Sequence, residues 1–278
     1  MTFFYSNSEF KKENTVVYIL SIRFATDGLS FSIHDADGTL MVFSFKPHML
    51  TSQDEVIAKT KKTLVEDELL NLQYKKVYVL PANKDKMLIP AHIFNKDLLP
   101  DIYRVCLPTD KNDTLLYKKI RPMEAYIVES QPRNFVKFLT SRYRSLCIVN
   151  SAYPFIINSL SDTGETSQHL FIDIHDTYFD LLIVKERNVL LFNSFNYSAI
   201  PDMVYFILLS LRKCGIETYN LYTSISGNLV DDPMLLKVLS SYLLNITLLK
   251  DDNLNVLLKN DNVNSSAFIH LLSMHKCE

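Results

Sequence analysis

Between Tyr18 and Phe45 apolar and polar positions alternate, and two glycine-bearing turns interrupt the alternation. Leu29, Phe31 and Ile33 fall on one side of an extended chain, and Ser30, Ser32 and His34 on the other, because successive side chains of a strand point to opposite faces. The pattern predicts a strand, a turn at Asp27-Gly28, a second strand, a hairpin turn at Asp37-Gly38 and a third strand. A helix follows. Ser52 and Glu55 have the spacing of a capping box, and Ile57, Leu64, Val65 and Leu69 share one helical face reaching about Asn71. Lys76 to Leu80 then reads as a strand and Lys86 to Ile89 as a shorter one.

The same pattern returns 150 residues later. Leu170 to Phe195 falls on Leu20 to Phe45 without a gap, and residues 20, 22, 33, 40, 44 and 45 meet identical residues at 170, 172, 183, 190, 194 and 195. The polar tip Asp35 to Gly38 meets Lys185 to Asn188, so apolar parity and turn position repeat together. A helix at Pro201 to Cys214, ended by Gly215, and a strand at Glu217 to Thr223 continue the parallel.

Between the copies, Met123 to Glu129 predicts a strand, Pro132 to Tyr143 a helix, Cys147 to Val149 a strand, and Ser151 to Leu160 a connecting helix. Ser161 to Ser167 is the most linker-like stretch. The expected division is therefore residues 1–160 and 161–278. After Thr223 a loop leads to a helix at Pro233 to Leu244 with Asp231 and Asp232 at its start, a strand near Ile246 to Leu249, and a last helix near Ser265 to His275.

Two copies of a three-stranded meander, helix and strand, joined by a helix, resemble the actin, heat-shock protein 70 and sugar-kinase superfamily. The resemblance extends to its smaller bacterial members, such as the pilus-assembly proteins of this fold and bacterial proteins with no assigned activity. It implies an α/β, duplicated actin-like ATPase (ribonuclease H-like) fold of two lobes, each a mixed sheet flanked by helices. In that family each lobe offers a glycine-bearing hairpin to phosphate and a third glycine-rich segment to adenosine. Glycine lets backbone N–H groups approach phosphate oxygens, and strand-end aspartates hold hydrated Mg²⁺.

The positions that the resemblance assigns to this cleft are Arg23, Thr26 and Asp27 in the first hairpin, Asp173, Asp176 and Thr177 in the second, and Ser224 and Gly227 in the adenosine segment. Most depart from the family pattern. Arg23 stands for an aspartate and Ala25 for a glycine, His175-Asp176-Thr177 replaces the second glycine turn, and Ile225 stands where adenine needs room. Asp173 survives, and Asp180 sits where relatives carry a later aspartate. Bulk and added negative charge oppose a nucleotide. The expectation is a non-catalytic scaffold with nucleotide binding lost or weak and no cofactor. The alternative is an ATPase or kinase holding Mg-ATP through Thr26, Thr177, Ser224 and backbone amides.

Arg23 and Asp173 are equivalent under the repeat, so the fold implies that they face each other, either as an ion pair in place of metal and phosphate or as two separately solvated strand ends. His169, Asp173 and His175 share strand parity, but zinc needs three or four converging ligands, and no metal set is assigned. Asn150 and Ser151 precede the connecting helix as N-caps, near where the superfamily places a polar catalytic residue. No Walker A loop, Gly-x-Ser-x-Gly elbow or His-Glu-x-x-His helix occurs.

Composition narrows the partners. Lys and Arg total 29 against 31 Asp and Glu, without blocks of one sign, so nucleic acid is not the expected partner. The apolar runs fall short of the roughly 20 residues that cross a bilayer. The charged start MTFFYSNSEFKKEN reads as mature sequence without an export signal, and Cys106, Cys147, Cys214 and Cys277 are dispersed. A cytoplasmic protein with a protein or peptide partner is expected.

Overall fold

The computed structural model describes residues 2–164, 167–230, 232–251, 254, 255, 257 and 264–277. Glu165 and Thr166 of the expected linker, and Asp231, lie outside them. The chain divides into two compact units: Met1–Lys119 with Ala125–Tyr153 and Leu271–Glu278, and Ile120–Glu124 with Pro154–His270.

In the first unit, β1 (Phe3–Ser6), β2 (Ile19–Ala25), β3 (Gly28–His34), β4 (Leu40–Pro47), β5 (Lys76–Pro81) and β9 (Leu146–Ile148) form one sheet in the order β1-β4-β3-β2-β5-β9. The period-2 pattern places Leu20, Ile22, Leu29, Phe31 and Ile33 on one face. They pack against Val56, Ile57 and Leu64 of α1 (Gln53–Glu66) and against Phe135 and Leu139 of α3 (Arg133–Arg142). The serine face of the sheet is buried as well, which alternation alone does not predict: Ser21, Ser30, Ser32 and His34 are all inaccessible. On that side His34 stacks on His275 at 4.0 Å, and burial lowers the His34 pKa to about 3.

The helix α1 opens as its sequence dictates. Ser52 Oγ accepts from the Glu55 N–H, and the Glu55 carboxylate accepts from the Ser52 N–H. It ends at Glu66, with a short 3₁₀ turn over Leu69–Asn71 where the apolar pattern predicts continued helix, because Asp67 leaves the helical conformation and its carboxylate takes the Leu69 and Leu70 N–H groups. We predict that Ser52→Ala lowers stability by about 1 kcal/mol, read as a lower urea midpoint with an unchanged slope.

Among the described residues, two strands and one α-helix go beyond what the sequence pattern predicts. They are β1, α2 (Leu99–Cys106) and β7 (Asp113–Ile120). The strand β7 joins β6 (Lys86–Pro90) and β8 (Ala125–Pro132) in a separate three-stranded sheet, order β6-β8-β7. Leu99 and Tyr103 of α2 pack on Ile89 and Val128 of this sheet.

In the second unit, β10 (Gln168–Ile174), β11 (Tyr178–Lys185), β12 (Asn188–Asn196), β13 (Leu221–Gly227) and β14 (Asn245–Leu248) form a sheet in the order β12-β11-β10-β13-β14. It repeats the order β4-β3-β2-β5-β9 of the first. Leu170 pairs with Ile183 as Leu20 pairs with Ile33, so the offset of 150 holds across the first hairpin of each sheet. It fails in the third strand. Asp180 pairs with Ser194, whereas Ser30 pairs with Phe45, so the identities at 40, 44 and 45 lie one residue out of register with 190, 194 and 195. The cause is a tighter turn: Lys185 pairs directly with Asn188, and the Glu186-Arg187 tip adopts φ of 52° and 64°, as a two-residue hairpin of this twist requires.

The helix α4 (Ala152–Ser161) precedes this sheet, and α5 (Ile200–Lys213) covers it with Met203, Val204, Ile207 and Leu211. Gly215, at φ 66°, lets the Ile216 N–H reach back to the Leu211 carbonyl at 2.9 Å and close α5. The helix α6 (Pro233–Leu239) stops five residues short of the expected end, and a short α7 (Ile269–Ser273) lies between 3₁₀ turns near the C-terminus. No helix among the described residues is long and apolar enough to cross a membrane.

Candidate functional site

In the first hairpin the two-residue turn is Thr26-Asp27, one residue earlier than its glycine suggests, and Gly28 opens β3 opposite Ala25. Extended pairing has absorbed the glycine. Arg23 is 5% exposed, and its guanidinium donates to both carboxylate oxygens of Asp27, at 3.0 and 3.1 Å. This bidentate pair lies across the turn itself. The turn backbone is engaged too, because the Thr26 and Asp27 carbonyls accept from the Leu50 and His48 N–H groups.

The second hairpin carries a denser cluster. Asp173 ends the polar side of β10, His175 opens the turn, and Asp180 lies on β11 directly opposite Asp173. All three are buried. Asp173 Oδ1 accepts from Ser226 Oγ at 2.8 Å, and Ser226 Oγ also lies 3.0 Å from His270 Nε2. Asp180 Oδ1 accepts from Ser194 Oγ at 2.6 Å. The remaining oxygens converge on one atom: His175 Nε2 is 3.3 Å from Asp173 Oδ2 and 3.5 Å from Asp180 Oδ2.

The electrostatics follow from that convergence. Burial alone would lower the His175 pKa, but the two carboxylates outweigh it and raise it to about 9. Burial likewise pushes Asp173 up, and His270 and His175 pull it well below the usual carboxylate range. Thus Arg23 and Asp173, expected to pair with each other, each have charged partners within their own unit. His169 does not join the cluster. Its Nε2 lies 2.6 Å from Ser167 Oγ, and its ring stacks on Phe171 and Tyr222.

Asp176 and Thr177 are exposed at the tip of this turn, and Asp176 Oδ1 accepts from Asn228 Nδ2 at 2.6 Å. The segment expected as a loop after Thr223 is strand as far as Gly227, held in parallel pairing with β10. Ser224 lies back along it, half-buried opposite Phe171. Gly227, at φ 106°, presses on β10 so closely that an added Cβ would lie 2.1 Å from the Ile174 carbonyl oxygen.

A second polar centre, which the sequence reading did not single out, lies in the first unit. Glu129, on β8, is 2% exposed and sits opposite Lys86 on β6. Its Oε2 receives Gln131 Nε2 at 3.1 Å, Asn150 Nδ2 at 3.2 Å and Asn83 Nδ2 at 3.5 Å. Burial raises its pKa to about 7 against the pull of these donors and Lys86. Asn150 Oδ1 meanwhile accepts from the Ala152 N–H, so it caps the connecting helix as expected and also touches the buried acid. A polar cleft of about 560 Å³ opens nearby. Asn83 lines it along with Asp54, Asp85, Asp113, Arg133 and Lys137.

Residues 7–246 match the family model DUF3822, described as "Protein of unknown function". Among curated proteins none matches the chain. Solved structures match over nearly its whole length. A protein of actin-like ATPase fold and unknown function from Bacteroides thetaiotaomicron is 20% identical with a TM-score of 0.82, covering 96% of this chain and 99% of that one. PilM in the PilM–PilN type IV pilus biogenesis complex is 13% identical with a TM-score of 0.57, covering 95% and 99%. These likenesses show that the chain has the actin-like ATPase fold.

Proposed function

The chain belongs to the DUF3822 family, and we propose that it acts as a non-catalytic actin-like scaffold that binds a protein or peptide, with nucleotide binding lost or weak. The observation that carries this reading is that side chains bonded to one another fill the turns that would cradle phosphate. A phosphate-binding hairpin works by presenting bare backbone N–H groups. Here Arg23 and Asp27 span the first turn, and Asp176 is tied to Asn228 beside the second. Asp173, which in a nucleotide-binding relative would face hydrated Mg²⁺, accepts from Ser226 and has the imidazoles of His175 and His270 beside it where that ion's water shell would need room.

A partner role is supported by PilM, a protein similar in fold that is held in a complex with PilN. The polar cleft of the first unit offers this chain a seat for such a segment, with Asp54, Asp85, Asp110 and Asp113 against Arg133 and Lys137. The test is a melting curve with and without Mg-ATP. A ligand at 100 times its Kd stabilises the folded state by about 2.7 kcal/mol, equivalent to roughly 5 °C or more for a chain of this size. We expect a shift below about 1 °C. A shift of several degrees would instead establish a nucleotide-binding member with atypical loops.

A further inference from the structure

We propose that Asp173, His175 and Asp180 form a three-ligand site for a divalent transition-metal ion, Zn²⁺ foremost, bound without nucleotide. One oxygen or nitrogen of each residue converges so that the three atoms lie within 4.8 Å of one another. A tetrahedral ion with bonds of about 2.0–2.1 Å separates its ligand atoms by about 3.3–3.4 Å. The distances from His175 Nε2 to the two carboxylate oxygens are 3.3 and 3.5 Å. They fit the edges of such a polyhedron.

The orientation of the carboxylates points the same way. Each gives one oxygen to a serine, Asp173 to Ser226 and Asp180 to Ser194, and turns the other toward His175. Ligand carboxylates in metal sites are commonly held this way by outer hydrogen bonds. His175, only 7% exposed, makes no hydrogen bond through Nε2, although that atom is aimed between the two oxygens. Asp and His together suit Zn²⁺, Mn²⁺ or Fe²⁺ rather than Ca²⁺ or a thiolate-seeking ion. Three protein ligands leave one position open to water, and the adjacent turn residues Asp176 and Thr177 are exposed, which gives the ion a short entry path.

The test uses the full chain after EDTA treatment, in buffer without nucleotide, so its result is independent of the scaffold reading. ZnCl₂ titrated calorimetrically is expected to bind at one ion per chain and to raise the melting temperature. Co²⁺ in its place is expected to give the visible spectrum of a four- or five-coordinate site without thiolate charge transfer. Asp180→Asn keeps an acceptor for Ser194 and is expected to weaken binding at least tenfold, whereas His169→Ala leaves it unchanged. His175→Gln serves as the second ligand variant should Asp180→Asn fail to fold. Absence of stoichiometric Zn²⁺ binding, a thiolate band with Co²⁺, or full affinity in a folded ligand variant would overturn the proposal and leave a protonated His175 as the centre of the cluster.

Discussion

Gly227→Ala is expected to unfold the second unit, at a cost of about 4 kcal/mol or more. The new Cβ would lie 2.1 Å from the Ile174 carbonyl oxygen and 2.5 Å from its nitrogen. Those atoms belong to backbone, so no rotamer change relieves the contact. Only separating β10 from β13 does, and that pairing runs from Gln168 opposite Leu221 to Ile174 opposite Gly227. The φ of 106° adds a conformational cost for any side chain. The measurement is near-ultraviolet circular dichroism with limited proteolysis of the full chain. Retention of native signal at a stability within about 1 kcal/mol of wild type would contradict the close approach.

Glu129 produces the second large effect, through pH. Its folded pKa of about 7 lies above the ordinary 4.5, so between those values the folded state retains a proton that the unfolded chain has released. Stability therefore falls as pH rises through that window, by roughly 3 kcal/mol from this group in all. The contribution is fully present below about pH 4.5 and gone above about pH 7. The hydrogen bonding agrees: Oε2 collects the donors, while Oε1 has no hydrogen-bond partner, so a proton placed there displaces none of them. Glu129→Gln imitates the protonated acid. It is expected to match wild type at pH 5 and exceed it at pH 8 by roughly 2–3 kcal/mol in urea unfolding. A variant less stable than wild type at pH 8 would show instead that an ionised Glu129 opposite Lys86 supports the fold.

Much of this architecture is legible in the residues, and what is not has identifiable causes. The β2–β3–β4 meander, the Ser52 capping box and the Gly215 stop of α5 are local signals, each read within a few positions. The strand β1 has no such signal, because its partner β4 lies some forty residues away and only tertiary pairing makes Phe3–Ser6 extended. The register slip in β12 depends on one residue of turn length, which an ungapped self-alignment cannot express.

The polar centres divide the same way. Asp173 and Asp176 stand out by their place on a hairpin, and Asp180 by its place on the next strand. That Asp180 would meet His175, and that Ser226 and His270 would join Asp173, depends on β10 pairing with β11 on one side and β13 on the other. Glu129 is one acid in an alternating strand, and its burial becomes visible only when Asn83 and Asn150 arrive from distant segments. A buried acid on the inward parity of β8, opposite Lys86, was the available hint.

The proposed loss of a phosphate cradle rests on side chains that bond to one another in each hairpin, where a nucleotide-binding relative would bond a ligand. Arg23 and Asp27 neutralise each other across the first turn, and the serine and histidine partners of Asp173 hold the second. Equilibrium dialysis of Mg-ATP against the intact chain tests this most directly. The account predicts no measurable occupancy at about 1 mM nucleotide. Saturable binding of one Mg-ATP per chain with a Kd in the micromolar range would contradict it.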